Sequence, residues 1–281
     1  MQIAFQGAAG AYSEAAALKA WPGSEPIACD RFEQVFSAVA EGRASHGILP
    51  VENSIGGSIH VNYDLLLQHE LPIVAETELT VVHNLLALPG TKMSGIKRVF
   101  SHPQALAQCE RYLHRLAGVE IVATYDTAGS ARLIKEGQLA DTAAIASARA
   151  AELFGLDILQ AGIQDFSDNI TRFILIAREP TPLGPPDKTS IAFALHNAPG
   201  ALFKALSVFA LRDIDMTKLE SRPARGVPWE YVFYADLGAG RSDVRCSRAL
   251  GHLEEFAQWV RTLGSYARAL PLSRAGIVAE Q

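Results

Sequence analysis

Phe166-Ser-Asp-Asn-Ile-Thr-Arg-Phe-Ile-Leu-Ile-Ala177 sets a polar run directly before an apolar one. A short apolar run entered from turn-forming residues reads as a buried strand with its chemistry at one end. Asn169, Thr171 and Arg172 stand at that end. The return of the chain at this point also has a topological use. If residues 77–165 form a second lobe inserted into a first lobe of residues 1–76 and 166–178, crossovers near Glu76-Thr77 and Phe166–Thr171 make a hinge. Clefts between lobes are preferred places for small ligands, and Thr171 then lies on the cleft floor.

Working outward, the region before this stretch alternates short apolar runs with helical ones. Strands are expected at Ile3–Phe5, His46–Val51, within Ile73–Leu88, at Ile96–Phe100, Val119–Thr124 and Thr142–Ile145. Helices are expected at Ser13–Trp21, Phe32–Ala40, Ser58–Gln68 and Pro103–Leu116, after Tyr125-Asp-Thr-Ala-Gly129 as far as Gly137, and at Ser147–Phe154. The alternation argues for parallel α/β layers. After Glu179-Pro-Thr-Pro-Leu-Gly-Pro-Pro-Asp187, a proline-rich linker, a second domain begins. Residues 1–178 are thus one domain, 179–189 the linker and 190–281 the other.

Strand-to-helix turns of a parallel sheet share one edge, where ligands bind. Four such turns carry small polar residues: Tyr12-Ser13, Asn53-Ser54, Ser101-His102 and Asp126-Thr127. Unpaired amides at helix starts attract carboxylate or phosphate. Ser13, Ser101 and Thr127 also suit plain N-caps. Four together, with Gly56-Gly57 permitting close backbone approach, point to an anion site.

The 281 residues, 49% hydrophobic with a net charge of −5, suit a soluble chain with two cores and argue against a nucleic-acid partner. No window reaches a membrane span and no basic region precedes the first apolar run, so a cytoplasmic protein without membrane partner is expected. Cys29, Cys109 and Cys246 share no metal or redox spacing, and the eight histidines form no ligand motif, so no metal is expected. Gly7-Ala-Ala-Gly-Ala-Tyr12 lacks the dinucleotide fingerprint and no GK[ST] occurs, so no nucleotide cofactor is expected.

Phe5-Gln-Gly-Ala-Ala-Gly-Ala-Tyr-Ser-Glu14, Pro50-Val-Glu-Asn-Ser-Ile-Gly-Gly57, Ser101-His-Pro-Gln104, Ala143-Ala-Ile-Ala-Ser147 and Thr171-Arg-Phe173 resemble, in order, the motifs of bacterial prephenate dehydratases. Asn197-Ala-Pro-Gly-Ala-Leu202, Glu220-Ser-Arg-Pro223 and Pro228-Trp-Glu-Tyr231 resemble that family's regulatory ACT domain. The resemblance implies a two-lobed catalytic domain like periplasmic binding proteins, followed by a ferredoxin-like domain. It implies conversion of prephenate to phenylpyruvate, water and carbon dioxide on the route to phenylalanine, with no cofactor.

Through the resemblance, Thr171 is the residue tied most closely to catalysis, donating to the departing hydroxyl or relaying a proton. Glu52 would serve as general acid if burial raises its pKa; an exposed glutamate looks identical in sequence. Asn53, Ser54, Ser101 and Gln108 are orienting donors, and Ser13, Gln104 and Phe173 complete the substrate contacts. Gln108 lies two turns beyond Ser101 on the Pro103 helix, and a solvent-facing glutamine is its plain alternative. Arg172 either pairs with a substrate carboxylate or, pointing away from Thr171, clamps the lobes through Asp165 or Asp168.

In the C-terminal domain, strands at Ser190–Leu195, Met216–Arg222, Trp229–Leu237 and near Tyr266–Leu270 alternate with helices Gly200–Leu211 and Val244–Leu263. That is a ferredoxin-like βαββαβ order. The resemblance places L-phenylalanine as allosteric effector on Asn197, Gly200, Ala201, Leu202, Asp215, Glu220, Ser221, Arg222 and Pro223, between two copies in a homodimer or homotetramer. Asp215 departs from the family's usual asparagine. Arogenate, with an amino group where prephenate has a keto group, is the alternative substrate. A non-catalytic two-lobed amino-acid sensor is the alternative of another class.

Overall fold

The computed structural model describes residues 1–224 and 229–269. In chain order the first elements are β1 (Gln2–Gln6), α1 (Tyr12–Ala20), β2 (Glu25–Cys29), α2 (Phe32–Ala40), β3 (His46–Asn53), β4 (Gly57–Ser58) and α3 (His60–His69). There follow β5 (Ile73–Thr80), β6 (Asn84–Ala87), β7 (Arg98–Ser101), α4 (Pro103–Ala107), α5 (Glu110–Leu113) and β8 (Glu120–Ala123). Next come α6 (Thr127–Gly137), β9 (Thr142–Ala146), α7 (Ala148–Phe154), β10 (Asp157–Gln160) and β11 (Ile170–Ala177). The last are β12 (Lys188–Leu195), α8 (Ala201–Ala210), β13 (Met216–Pro223), β14 (Tyr231–Leu237), α9 (Val244–Glu254) and β15 (Ala257–Tyr266).

The described residues group into two compact units, 1–62 with 77–173 and 63–76 with 174–269. Residues 63–76 and 174–178, assigned from sequence to lobe one, therefore group with the C-terminal part. Lys188 and Thr189, expected in the linker, open β12.

The first unit holds two sheets. In one, the strand order runs β5-β11-β3-β1-β2, with β5 from Thr77 and β11 up to Phe173 falling in this unit, and β1 pairs in parallel with β2 and β3. Consecutive residues Ile3, Ala4 and Phe5 are all buried, as in a strand covered on both faces. β2 is an edge strand that sequence reading missed; Pro26 withholds an amide there at no cost to the sheet. The second sheet runs β10-β6-β9-β7-β8, with β7 parallel to β8 and β9. β6 is antiparallel to both β9 and β10, which corrects the expectation of wholly parallel layers. β5 and β6 belong to different sheets, so β6 enters the second sheet with no βαβ crossover to fix its direction as parallel.

Gly10 shows how closely the β1–α1 loop packs. Its φ of +91° suits glycine, and a Cβ would stand 3.0 Å from the Ala150 Cα. Ser147, at the N-cap of α7, donates its hydroxyl to the Gly10 carbonyl at 2.7 Å.

The second unit has the βαββαβ order with sheet order β13-β14-β12-β15, its strands paired antiparallel, which is the ferredoxin-like arrangement. Phe193, Val208, Phe209, Leu250 and Leu253 form its core. The expected helix Val244–Leu263 is corrected: it ends at Glu254, and Ala257–Tyr266 is the final strand. Trp259, Val260 and Thr262 favour a pleated surface, and this preference prevails over a helical spacing of apolar residues that continues from α9. The expected end of that strand at Leu270, and Pro228 of the third C-terminal motif, lie outside the described residues.

Candidate active site

A cleft of about 460 Å³ opens in the first unit, lined among others by Ser13, Asn53, Gln104, Gln108, Thr171 and Phe173. At its floor β3 and β11 lie side by side. Side chains alternate along a strand, so Thr171 and Phe173 line the cleft while Arg172 between them does not. Likewise Asn53 lines it and Glu52 does not.

The orientation of the Asn53 amide is settled by its surroundings. The backbone amides of Ile55 and Gly56 donate to Asn53 Oδ1 at 3.1 and 2.7 Å. An acceptor must face two donors, so Nδ2 faces the other way. It donates to Asn169 Oδ1 at 2.7 Å and to Thr171 Oγ1 at 3.0 Å. The Thr171 oxygen is therefore an acceptor within the fold. Its own proton has no acceptor among the described residues and is left for a group in the cleft.

The polar chain continues through the floor. Asn169 Nδ2 donates to Gln108 Oε1 at 3.0 Å, and the same oxygen lies 2.8 Å from His83 Nε2. With that oxygen accepting, His83 carries its proton on Nε2 and has Nδ1 as an acceptor, 2.8 Å from the Tyr12 hydroxyl, whose single proton is shared with the Val82 carbonyl, also at 2.8 Å. Burial pushes the His83 pKa below its usual value, opposed in part by Gln108. Burial likewise holds Tyr12 protonated, well above the usual phenol range. The floor is thus a neutral network of amides, imidazole and hydroxyls. His83 was not singled out in the sequence, and Tyr12 only as part of the Tyr12-Ser13 turn; the visible signal was the position of His83 beside the first crossover.

The four expected helix starts separate. α1 begins at Tyr12 after Ala11 with no N-cap side chain; Ala11, Tyr12 and Ser13 line the cleft, while the first-turn Glu14 is buried, accepts from Gly10 N–H and pairs with Arg149 at 3.8 Å. Asn53-Ser54 enters a turn into β4, not a helix. α4 is capped by His102, whose Nδ1 accepts from Gln104 N–H at 3.2 Å. α6 is capped by Asp126, not by Thr127.

Several expected substrate contacts prove structural. Ser101 is fully buried at the end of β7 and donates to the Ile145 carbonyl at 2.7 Å. Ser54 ties the turn to β11, donating to the Asp168 carbonyl at 2.6 Å and accepting from Ile170 N–H at 2.9 Å. Glu52 and Arg172 form an ion pair, N to O 3.5 Å, and neither lines the cleft. Glu52 is half-buried and paired, which corrects its expected role as buried general acid, and of the two readings of Arg172 its place outside the cleft lining fits the one that points it away from Thr171. Gln108 remains a cleft residue, but the helix expected to carry it breaks there into α4 and α5. Gln104 approaches the turn so closely that a Cβ on Gly56 would meet its Nε2 at 2.6 Å.

Cys109, next to Gln108 in the chain, is no nucleophile: burial, with Asp165 nearby, pushes its thiol up to about 12, far from a reactive thiolate. No cluster of His, Cys, Asp or Glu able to hold a metal ion occurs among the described residues. What the cleft offers is a positioned hydroxyl donor, a helix start for an anion and a rigid neutral floor.

The profile of the prephenate dehydratase family matches residues 3–181. The chain belongs to that family. "Arogenate dehydratase 1" of Petunia hybrida is 53% identical to it, the match covering 95% of this chain and 66% of that one. The chain thus spans about two-thirds of the length of the curated relatives it matches. Among solved structures, "Prephenate dehydratase in complex with L-Phe" from Arthrobacter aurescens is 33% identical with a TM-score of 0.87, covering 95% of this chain and 90% of that one. A structure described as "GqqA- a novel type of quorum quenching acylases" is 38% identical with a TM-score of 0.88, covering 98% and 100%.

The dehydratase family is a family of lyases, as the motifs implied. Plant enzymes stand among its curated relatives. The cytoplasmic expectation is overturned: Arabidopsis thaliana relatives 49–51% identical are named chloroplastic. An organelle address resides in a detachable leader, so folded-domain composition does not report it.

In this member of the dehydratase family, the second unit carries its own cavity of about 150 Å³. Asn197, Ala201, Leu202, Trp229 and Tyr231 line it, and Gly200, with φ of +76°, is the uncapped N-cap of α8 beside it. Asp215 and Glu220–Pro223 do not line that cavity. Asp215 accepts through its carbonyl from Gly238 N–H at 2.8 Å. Glu220 pairs with Lys218 at 3.2 Å, Arg222 pairs with Asp64 at 3.3 Å, and Ser221 and Pro223 are exposed.

Proposed function

We propose that the chain is a dehydratase that removes carboxylate and hydroxyl together from a cyclohexadienyl substrate, arogenate or prephenate. The observation that carries this is the Thr171 hydroxyl, which accepts from Asn53 and keeps its own proton for the cleft. In the reaction the bond from ring C1 to its carboxylate breaks, and the electron pair enters the ring as carbon dioxide leaves. The C4–oxygen bond breaks, and the oxygen departs as water after taking up a proton. Aromatisation drives the step downhill. The protein has only to seat the anion and stabilise the departing oxygen, which a preorganised donor does without reorganisation.

The uncapped start of α1, with Ser13, suits a substrate carboxylate. Phe173 and Phe32 supply apolar wall for the ring. Relatives named arogenate dehydratase support arogenate as the preferred substrate, which would yield phenylalanine directly; prephenate would yield phenylpyruvate. An acylase, the reading raised by one structural relative, needs a base beside its nucleophile. Thr171 Oγ1 meets an amide NH₂ instead.

L-phenylalanine as feedback effector fits the second unit as a regulatory ACT domain in a homodimer or homotetramer. The Arthrobacter relative solved with L-Phe and the cavity beside Asn197 and Gly200 support this. Assay of the purified chain on arogenate and prephenate side by side tests the function. Release of carbon dioxide with formation of an aromatic product is expected; inertness on both substrates overturns the reading.

A further inference from the structure

The geometry points to Asp126 as the specificity residue of the cleft, reading the ammonium group that distinguishes arogenate from prephenate; this rests on the dehydratase reading. Among the described residues lining the cleft, Asp126 is the one carboxylate, and no Lys or Arg joins it. Asp126 is the N-cap of α6 and its Oδ1 accepts from Gly129 N–H. Its Oδ2 receives no hydrogen bond among the described residues, so one oxygen serves the helix and the other is left for a ligand.

The cleft therefore has two helix starts that present different groups to it. That of α1 has no N-cap side chain, and its first-turn carboxylate, Glu14, accepts from Gly10 N–H, pairs with Arg149 and does not line the cleft, so the start suits an anion. That of α6 sets a carboxylate in the cleft lining, which caps Gly129 N–H and repels a second anion. A cation is the group that fits there. Arogenate supplies a carboxylate and an ammonium on one short side chain, whereas prephenate would bring a keto oxygen against the Asp126 carboxylate. Asp126 is half-buried, so the pairing is shielded in part from solvent and counts for more than a surface ion pair.

Asp126→Asn tests this, because asparagine caps a helix as well as aspartate but carries no charge. On the full chain, kcat/KM for arogenate is expected to fall about 10- to 100-fold, the range for a charge-assisted hydrogen bond. The value for prephenate should hold or rise, and the melting temperature should stay unchanged. Asp126→Ser, another capping residue, should shift the substrate ratio the same way. An active wild type whose variants fall equally on both substrates, or keep the wild-type ratio, overturns this proposal alone. A wild type inert on both substrates overturns the dehydratase reading and this proposal with it.

Discussion

Asn53 Nδ2 donates to Thr171 Oγ1 at 3.0 Å, and because two backbone amides hold Asn53 Oδ1, the direction of this bond cannot reverse. Asn53→Asp keeps the acceptor for Ile55 and Gly56 but replaces the NH₂ with a second acceptor. Thr171 would then donate its proton to the aspartate instead of the substrate. A fall in kcat of about 100-fold is expected, with an unchanged near-UV circular dichroism spectrum; a kcat within threefold of wild type would remove Asn53 from the mechanism.

Glu52 pairs with Arg172 outside the cleft. Glu52→Gln should therefore leave kcat within about threefold and the pH–rate profile unshifted, since a general acid would remove one limb of that profile. Loss of a limb would restore Glu52 to the proton path.

Gln108 joins Asn169 to His83 through a single oxygen. Gln108→Leu leaves two donors unpaired in a largely buried network, at a cost of about 1–3 kcal/mol. The thermal unfolding midpoint should drop accordingly. An unchanged midpoint would mean that water replaces the amide.

Burial lowers the His83 pKa from 6.5. The unfolded chain then takes up a proton near pH 6.5 that the folded chain still refuses, so stability is fully present above that pH and is lost as pH falls toward the folded value. His46 is shifted in the same direction by burial and the N-terminal amine. Melting temperatures of wild type and His83→Gln between pH 7.5 and 5 should diverge in slope, the variant losing less on acidification. Parallel slopes would assign the acid sensitivity elsewhere.

Much of the fold could be read from pattern. The polar-to-apolar switch at Thr171 announces β11, and the apolar spacing after Ser190 announces the ferredoxin-like order, because both are set by local burial. What escaped depends on neighbours remote in sequence. Alternation says that Glu52 and Asn53 face opposite sides of β3, but only the packed sheet says which side is the cleft. Ser101 looks like a helix cap until the Ile145 carbonyl takes its hydroxyl. Tyr12, His83 and Gln108 are brought together from three separate segments, and no local motif marks that meeting.

The most direct test is kcat and KM for Thr171→Ala and Thr171→Ser on arogenate and prephenate. Alanine removes the donor and should lower kcat about 100- to 1,000-fold with KM little changed, while serine, which keeps a hydroxyl against Asn53, should retain most of the rate. An alanine variant that turns over within a few-fold of wild type would contradict the account.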